Sequence, residues 1–129
     1  MIGIWQSYSD AYLIVASSSM LVFYSLPLLL VPLRWARLFR WEIPQPASLT
    51  VVLARSLGLF LSVLALFAFK AIASPAAKPF YFDFLIWLLA GMAAIHIYGA
   101  VRKTQPMAET IEILLWVVLL LLTLCFYPI

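Results

Sequence analysis

The chain has 129 residues, a net charge of +3, 67% hydrophobic and only 10% charged residues, and a mean hydropathy of +1.11. A soluble domain carries about 25% charged residues, so this composition excludes a water-facing globular fold, and the length leaves no room for a second domain. A single cysteine, Cys125, excludes an internal disulfide and a cysteine-built metal cage, and the modest net charge leaves no footprint for nucleic acid.

Four apolar stretches fill the chain, over 11–33, 49–73, 84–101 and 110–127. Their lengths fit the roughly 17–25 residues of a helical span, and none alternates like a barrel strand. Lipid offers the backbone no hydrogen-bond partner, so a span must be a helix or a closed barrel. The sequence therefore predicts an all-α integral membrane fold, a single-domain bundle of four transmembrane helices over residues 1–129.

No Lys or Arg precedes the first stretch. It also outlasts the roughly 7–15-residue apolar core of a signal peptide, so a retained span is expected. Ser17, Ser18 and Ser19 fall mid-span and are expected to form a packing face, with hydroxyls bonded one turn back. Pro27 lacks an amide proton and crowds the turn before it, which predicts a kink.

The first link carries Arg34, Arg37 and Arg40, interleaved with Trp35, Leu38, Phe39 and Trp41. On a helical turn this gives a cationic side and an aromatic side, an arrangement suited to lipid headgroups at the membrane interface. Pro44 and Pro46 end the link, and Ser48 or Thr50 is expected to cap the second helix. Pro75 and Pro79 are expected to keep the second link out of either helix, and Asp83 to open the third helix at the positive end of its dipole. Thr104 or Gln105 before Pro106 reads as the start of the fourth. Trp5, Tyr8, Tyr12, Phe80, Tyr81, Phe82, Trp87, Phe126 and Tyr127 read as an interfacial aromatic belt.

Basic short loops stay cytoplasmic. The first link, Arg55 just beyond it, and Arg102 and Lys103 in the third link face only Lys70 and Lys78 on the other side. Both basic links are therefore expected on the cytoplasmic face and both termini opposite. The expected location is a multi-pass position in a bacterial cytoplasmic membrane.

One polar layer stands out. Counting about 1.5 Å per residue from the helix ends puts Arg55, His96 and Glu112 at one level on three helices, with Glu109 closer to water. Ionisable groups within a span are costly and mark function by default. Arg55 is expected to turn inward with Gly58 and Ser62 and to pair with Glu112. His96 is expected to bond a carbonyl of a neighbouring helix. The layer reads either as a structural ion pair or as a ligand site for a lipid headgroup or a quinone, built from Arg55, His96, Glu109 and Glu112. A tetrapyrrole on His96 is disfavoured. It is the only histidine, and Met92 stands where light-harvesting peptides place Ala or Gly. No metal ligand set is expected.

In size and hydropathy the chain is similar to small four-span DoxX-like proteins, and in length to small multidrug transporters. The latter resemblance implies a carboxylate within the first span. Asp10, the only candidate, stands at its edge. With no reaction motif, the expected function is a non-catalytic accessory or structural subunit of a larger membrane complex, with membrane lipids and protein partners or a second copy around it. The alternative is a lipid- or quinone-binding protein, possibly an enzyme, using Arg55, His96 and Glu112.

Overall fold

A computed structural model describes residues 2–129. It is all-helical, with no strand among the described residues. Helix α1 spans Gln6–Leu30, α2 Pro32–Leu38, α3 Ser48–Ile72, α4 Ala77–Arg102 and α5 Met107–Cys125. All but α2 are long and apolar enough to cross a membrane. Most large apolar side chains on them are exposed, such as Leu53, Leu66, Trp87 and Leu114. Water does not tolerate such a surface over four helices, and lipid does. The chain divides into two compact units, Leu13–Lys70 and the residues up to Tyr12 together with Ala71–Ile129.

In the first unit, α1 and α3 meet through small residues. A Cβ on Gly58 would lie 2.7 Å from the Leu29 nitrogen and 2.8 Å from the Ser25 oxygen, so only glycine permits this approach. The Ser25 hydroxyl donates to the Gly58 carbonyl at 2.7 Å and lies 2.6 Å from the Ser62 hydroxyl. Ser25 and Ser17 are buried, whereas Ser18 and Ser19 are exposed, so one serine of the expected trio packs.

Pro27 leaves its mark one turn earlier. The helix widens over Leu21–Ser25, where Leu26 donates to the Leu21 carbonyl five residues back. The Phe23 carbonyl, deprived of an amide at Pro27, accepts the Trp35 indole N–H at 3.0 Å. The first span ends at Leu30 rather than near residue 33, because Val31 precedes Pro32 and takes a non-helical φ of −134°. Pro32 then opens α2.

Two helix ends close in the same way. Arg40 and Lys103 adopt left-handed φ values of 61° and 54°. The following amides reach back five residues, Trp41 to Ala36 at 3.1 Å and Thr104 to Gly99 at 3.0 Å, while Arg40 bonds Arg37 and Lys103 bonds Ala100. This is the Schellman turn that usually recruits glycine. Here a cation occupies it, at the negative end of the helix dipole.

In the second unit, α4 begins at Ala77, seven residues before the predicted third stretch. Pro79 therefore lies in the first turn, where its missing amide proton costs nothing. Asp83 does not open α4. It lies inside it and accepts the Tyr127 hydroxyl at 2.8 Å. Lys78 pairs with Asp10 at 2.5 Å, so the Asp10 oxygen shut off from solvent has an ammonium as its counter-charge. The residues before α1 run against the end of α5, with Gly3 donating to the Leu124 carbonyl and Trp5 to that of Cys125, both at 2.9 Å. Part of the expected belt is thus a packed cluster. Tyr12 stacks on Phe126 at 4.8 Å, Phe82 meets Tyr127 edge-on at 5.9 Å, and the Tyr12 hydroxyl lies 2.6 Å from Thr123.

Candidate functional site

At the other end of α4, about 20 Å from Phe82 by helix rise, α4 and α5 bring three ionisable side chains together. His96 is one turn and a half before the α4 terminus, and Gly99 follows it by three residues. The four-residue link 103–106 turns the chain back tightly, through Lys103 and then Pro106, whose extended ψ of 160° immediately precedes α5. Glu109 and Glu112, one turn apart on α5, then face α4.

His96 is buried, at 6% exposure. Its Nε2 lies 3.0 Å from Glu109 Oε2 and 3.9 Å from Glu112 Oε2, and both carboxylate side chains are only 12% exposed. Its Nδ1 lies 2.8 Å from the Met92 carbonyl. A carbonyl only accepts, so Nδ1 carries a proton. The Trp116 indole N–H, which only donates, reaches Nε2 at 3.3 Å. The Gln105 side-chain amide donates to the His96 carbonyl at 3.0 Å and to the Thr110 hydroxyl at 3.2 Å, lacing the link to both helices. Gly99 makes room for it, since a Cβ there would overlap the Gln105 side chain.

The geometry imposes a chemical requirement. With Nδ1 donating to Met92, Nε2 has a single lone pair, which the Trp116 N–H approaches at 3.3 Å. An ionised Glu109 at 3.0 Å faces that atom acceptor to acceptor. A cation held by both atoms satisfies the contact, and on binding it takes the lone pair from the indole N–H.

No family model, curated protein or solved structure matches the chain. The reading of the site therefore rests on its geometry.

Of the expected layer, the structure assembles His96, Glu109 and Glu112, whose ligand atoms all lie within 4.8 Å of one another. Arg55 belongs to the first unit and its side chain is exposed, while Gly58 and Ser62 of the same helix meet α1. The cluster is built from the second unit alone. Glu109 is the nearer partner of His96 and is no more exposed than Glu112. Residue counting places levels to within a turn, and these acids are one turn apart on one face. The carbonyl bound by His96 belongs to its own helix, at i−4, rather than to a neighbour. Trp116 shares the expected face with Glu109 and Glu112. Gln105 was expected only as a helix-start residue, and its polar side chain in a four-residue link beside a buried histidine was the available signal.

Arg34, Arg37 and Arg40 are exposed, while Trp35 turns inward against Tyr24 at 5.6 Å and Phe39 at 4.5 Å. Trp41 is half-exposed at its end.

Proposed function

We propose that this chain is a multi-pass membrane protein, its basic links on the cytoplasmic face, that binds a divalent transition-metal ion at His96, Glu109 and Glu112. This departs from the expectation of no metal. The observation that carries it is the 3.0 Å contact between Nε2 and Glu109 in a buried group whose other imidazole nitrogen is already committed. A metal-bound histidine characteristically gives its second nitrogen to a carbonyl or carboxylate, which fixes the ring and its tautomer. Two ligands at about 2.1 Å from one tetrahedral ion stand about 3.4 Å apart. The separations of 3.0 and 3.9 Å bracket that distance. Two carboxylates also neutralise a dication, which favours the loaded state where dielectric screening is weak. One imidazole with two carboxylates suits zinc, manganese or ferrous iron better than the all-oxygen preference of calcium or magnesium.

Other expected ligands fit less well. A tetrapyrrole needs an open approach to Nε2, and that atom faces Glu109, Glu112 and Trp116. A quinone carbonyl needs a donor, and the Trp116 and Gln105 N–H groups already bond within the cluster.

Equilibrium dialysis of the protein in nanodiscs against zinc or manganese tests the reading. One ion per chain is expected. Affinity should fall in His96→Gln and Glu109→Gln by more than the roughly 10–100-fold that loss of an outer-shell partner costs. A wild-type protein that takes up neither ion nor iron stoichiometrically overturns it.

A second reading, a non-catalytic subunit of a larger assembly or a homo-oligomer, has one specific support. Phe80 and Trp87, 75% and 79% exposed, lie two turns apart on one face of α4. A stoichiometric partner lost on Trp87→Ala would favour it.

A further inference from the structure

The outward face of α4 carries more than lipid asks for. Phe84, Trp87, Gly91, Ala94, Tyr98 and Val101 are all exposed. They recur at alternating steps of three and four, the spacing by which one helix presents a seam to another. Phe80 extends the seam toward the start of the helix, and the buried residues Phe82, Leu89, Ala93 and His96 lie on the opposite face. The exposed residues of α5, by contrast, are aliphatic apart from Met107. Two features of the seam have no use within a single chain. A glycine inside a helix destabilises it relative to alanine. Gly58 and Gly99 offset that by admitting a close neighbour, whereas a Cβ on Gly91 would meet nothing within 4 Å. The other feature is Trp87. With α4 centred on a hydrocarbon core of about 30 Å, this residue lies about 10 Å inside it. Its indole N–H has no acceptor among the described residues, and lipid offers none.

We infer that two copies of this chain pair through α4, parallel and in register, with Trp87 and Tyr98 of each copy seated against Gly91 and Ala94 of the other. The inference rests on the second reading above, in which α4 carries a partner surface, and it names the partner. Copies inserted with the same sidedness have parallel α4 helices, so their contact is two-fold and each seam meets itself. In a parallel pair a knob at 87 enters a hole that includes position 91 of the facing helix, and a knob at 98 enters one that includes position 94. Both large knobs therefore meet a small residue, which is the close approach that helices in lipid favour. The seam bears no charge, so it does not repel its own copy. At about 200 Å² for a whole aromatic side chain, the exposed parts of Phe80, Phe84, Trp87 and Tyr98 come to about 500 Å² per copy. Two copies then bury about 1,000 Å², the size at which an association is specific. The His96 cluster, on the opposite face, is left as it is.

The test reads energy transfer between donor- and acceptor-labelled full-length protein in phosphatidylcholine vesicles as lipid is added. Wild type should keep its transfer on dilution beyond random proximity. Gly91→Leu has open space within its own chain, so it should retain its helical content and weaken pairing about tenfold or more. Ala94→Cys should cross-link to its counterpart under mild oxidation, and Leu114→Cys, exposed on α5, should not. The cross-link decides the matter if Gly91→Leu fails to fold. Transfer that falls to the random level in wild type overturns the inference, as does undiminished pairing in folded Gly91→Leu or cross-linking at Leu114→Cys in place of Ala94→Cys. A monomeric wild type that holds a different protein stoichiometrically and releases it on Trp87→Ala overturns the second copy and keeps the partner surface. A monomer with no partner removes both.

Discussion

Glu109→Gln should destabilise the metal-free protein more than Glu112→Gln. Both acids sit on α5 one turn apart, and both side chains are 12% exposed, so burial does not separate them. Distance to Nε2 does, at 3.0 against 3.9 Å. Glu109 lies within hydrogen-bond reach of Nε2 and Glu112 does not, so replacing Glu109 disturbs the closer contact, a single hydrogen bond contributing about 1 kcal/mol net. Equal exposure makes the desolvation costs similar, so that contact sets the difference. Glutamine conserves the volume, so no cavity enters the comparison. Breaking a buried pair typically costs about 3–5 kcal/mol. Glu109→Gln should fall in that range and Glu112→Gln about 1 kcal/mol below it. Unfolding followed by tryptophan fluorescence, with chelator present throughout, measures both. An equal or larger loss for Glu112→Gln would refute the assignment of Glu109 as the principal partner.

Two other outcomes follow from close contacts elsewhere. Gly58→Ala should cost about 1–3 kcal/mol, because its new methyl meets the backbone of α1 rather than a movable side chain; Gly91→Ala, with nothing within 4 Å of the added carbon, should cost nothing in the same unfolding assay. The Tyr127 phenol is held above its usual value near 10, first by its hydrogen bond to the Asp83 carboxylate, then by burial and by that charge. Its contribution is complete below the ordinary phenol range and is lost as pH rises through the raised value, so Asp83→Asn should return the titration seen by tyrosinate absorbance to the usual range, with Tyr127→Phe identifying the signal.

The four long helices were legible because about 20 apolar residues in a row admit few other structures. Their ends were less so. Residues 77–82 read as loop because Pro75 precedes them and Pro79 lies among them, yet Pro79 in a first turn is harmless. The left-handed turns at Arg40 and Lys103 carried no glycine to announce them, and the basic residues there read only as charge. For the site, His96 and the acids of α5 stood out because ionisable groups are scarce in apolar sequence. Their pairing did not, since a count along each helix cannot rank two carboxylates on one face. Arg55 was grouped with them by depth and by a face shared with Gly58 and Ser62, yet those two residues meet α1 while the arginine is exposed.

The link 103–106 has a consequence for how this protein is made. His96 and Glu109 are only 13 positions apart in sequence. Contacts so local form early and at little loop-closure cost. A lone helix would leave both carboxylates to water, whereas a hairpin that has already closed sets the imidazole and the indole N–H beside them. The cluster can thus form from one hairpin alone, whatever the state of the helices that preceded it.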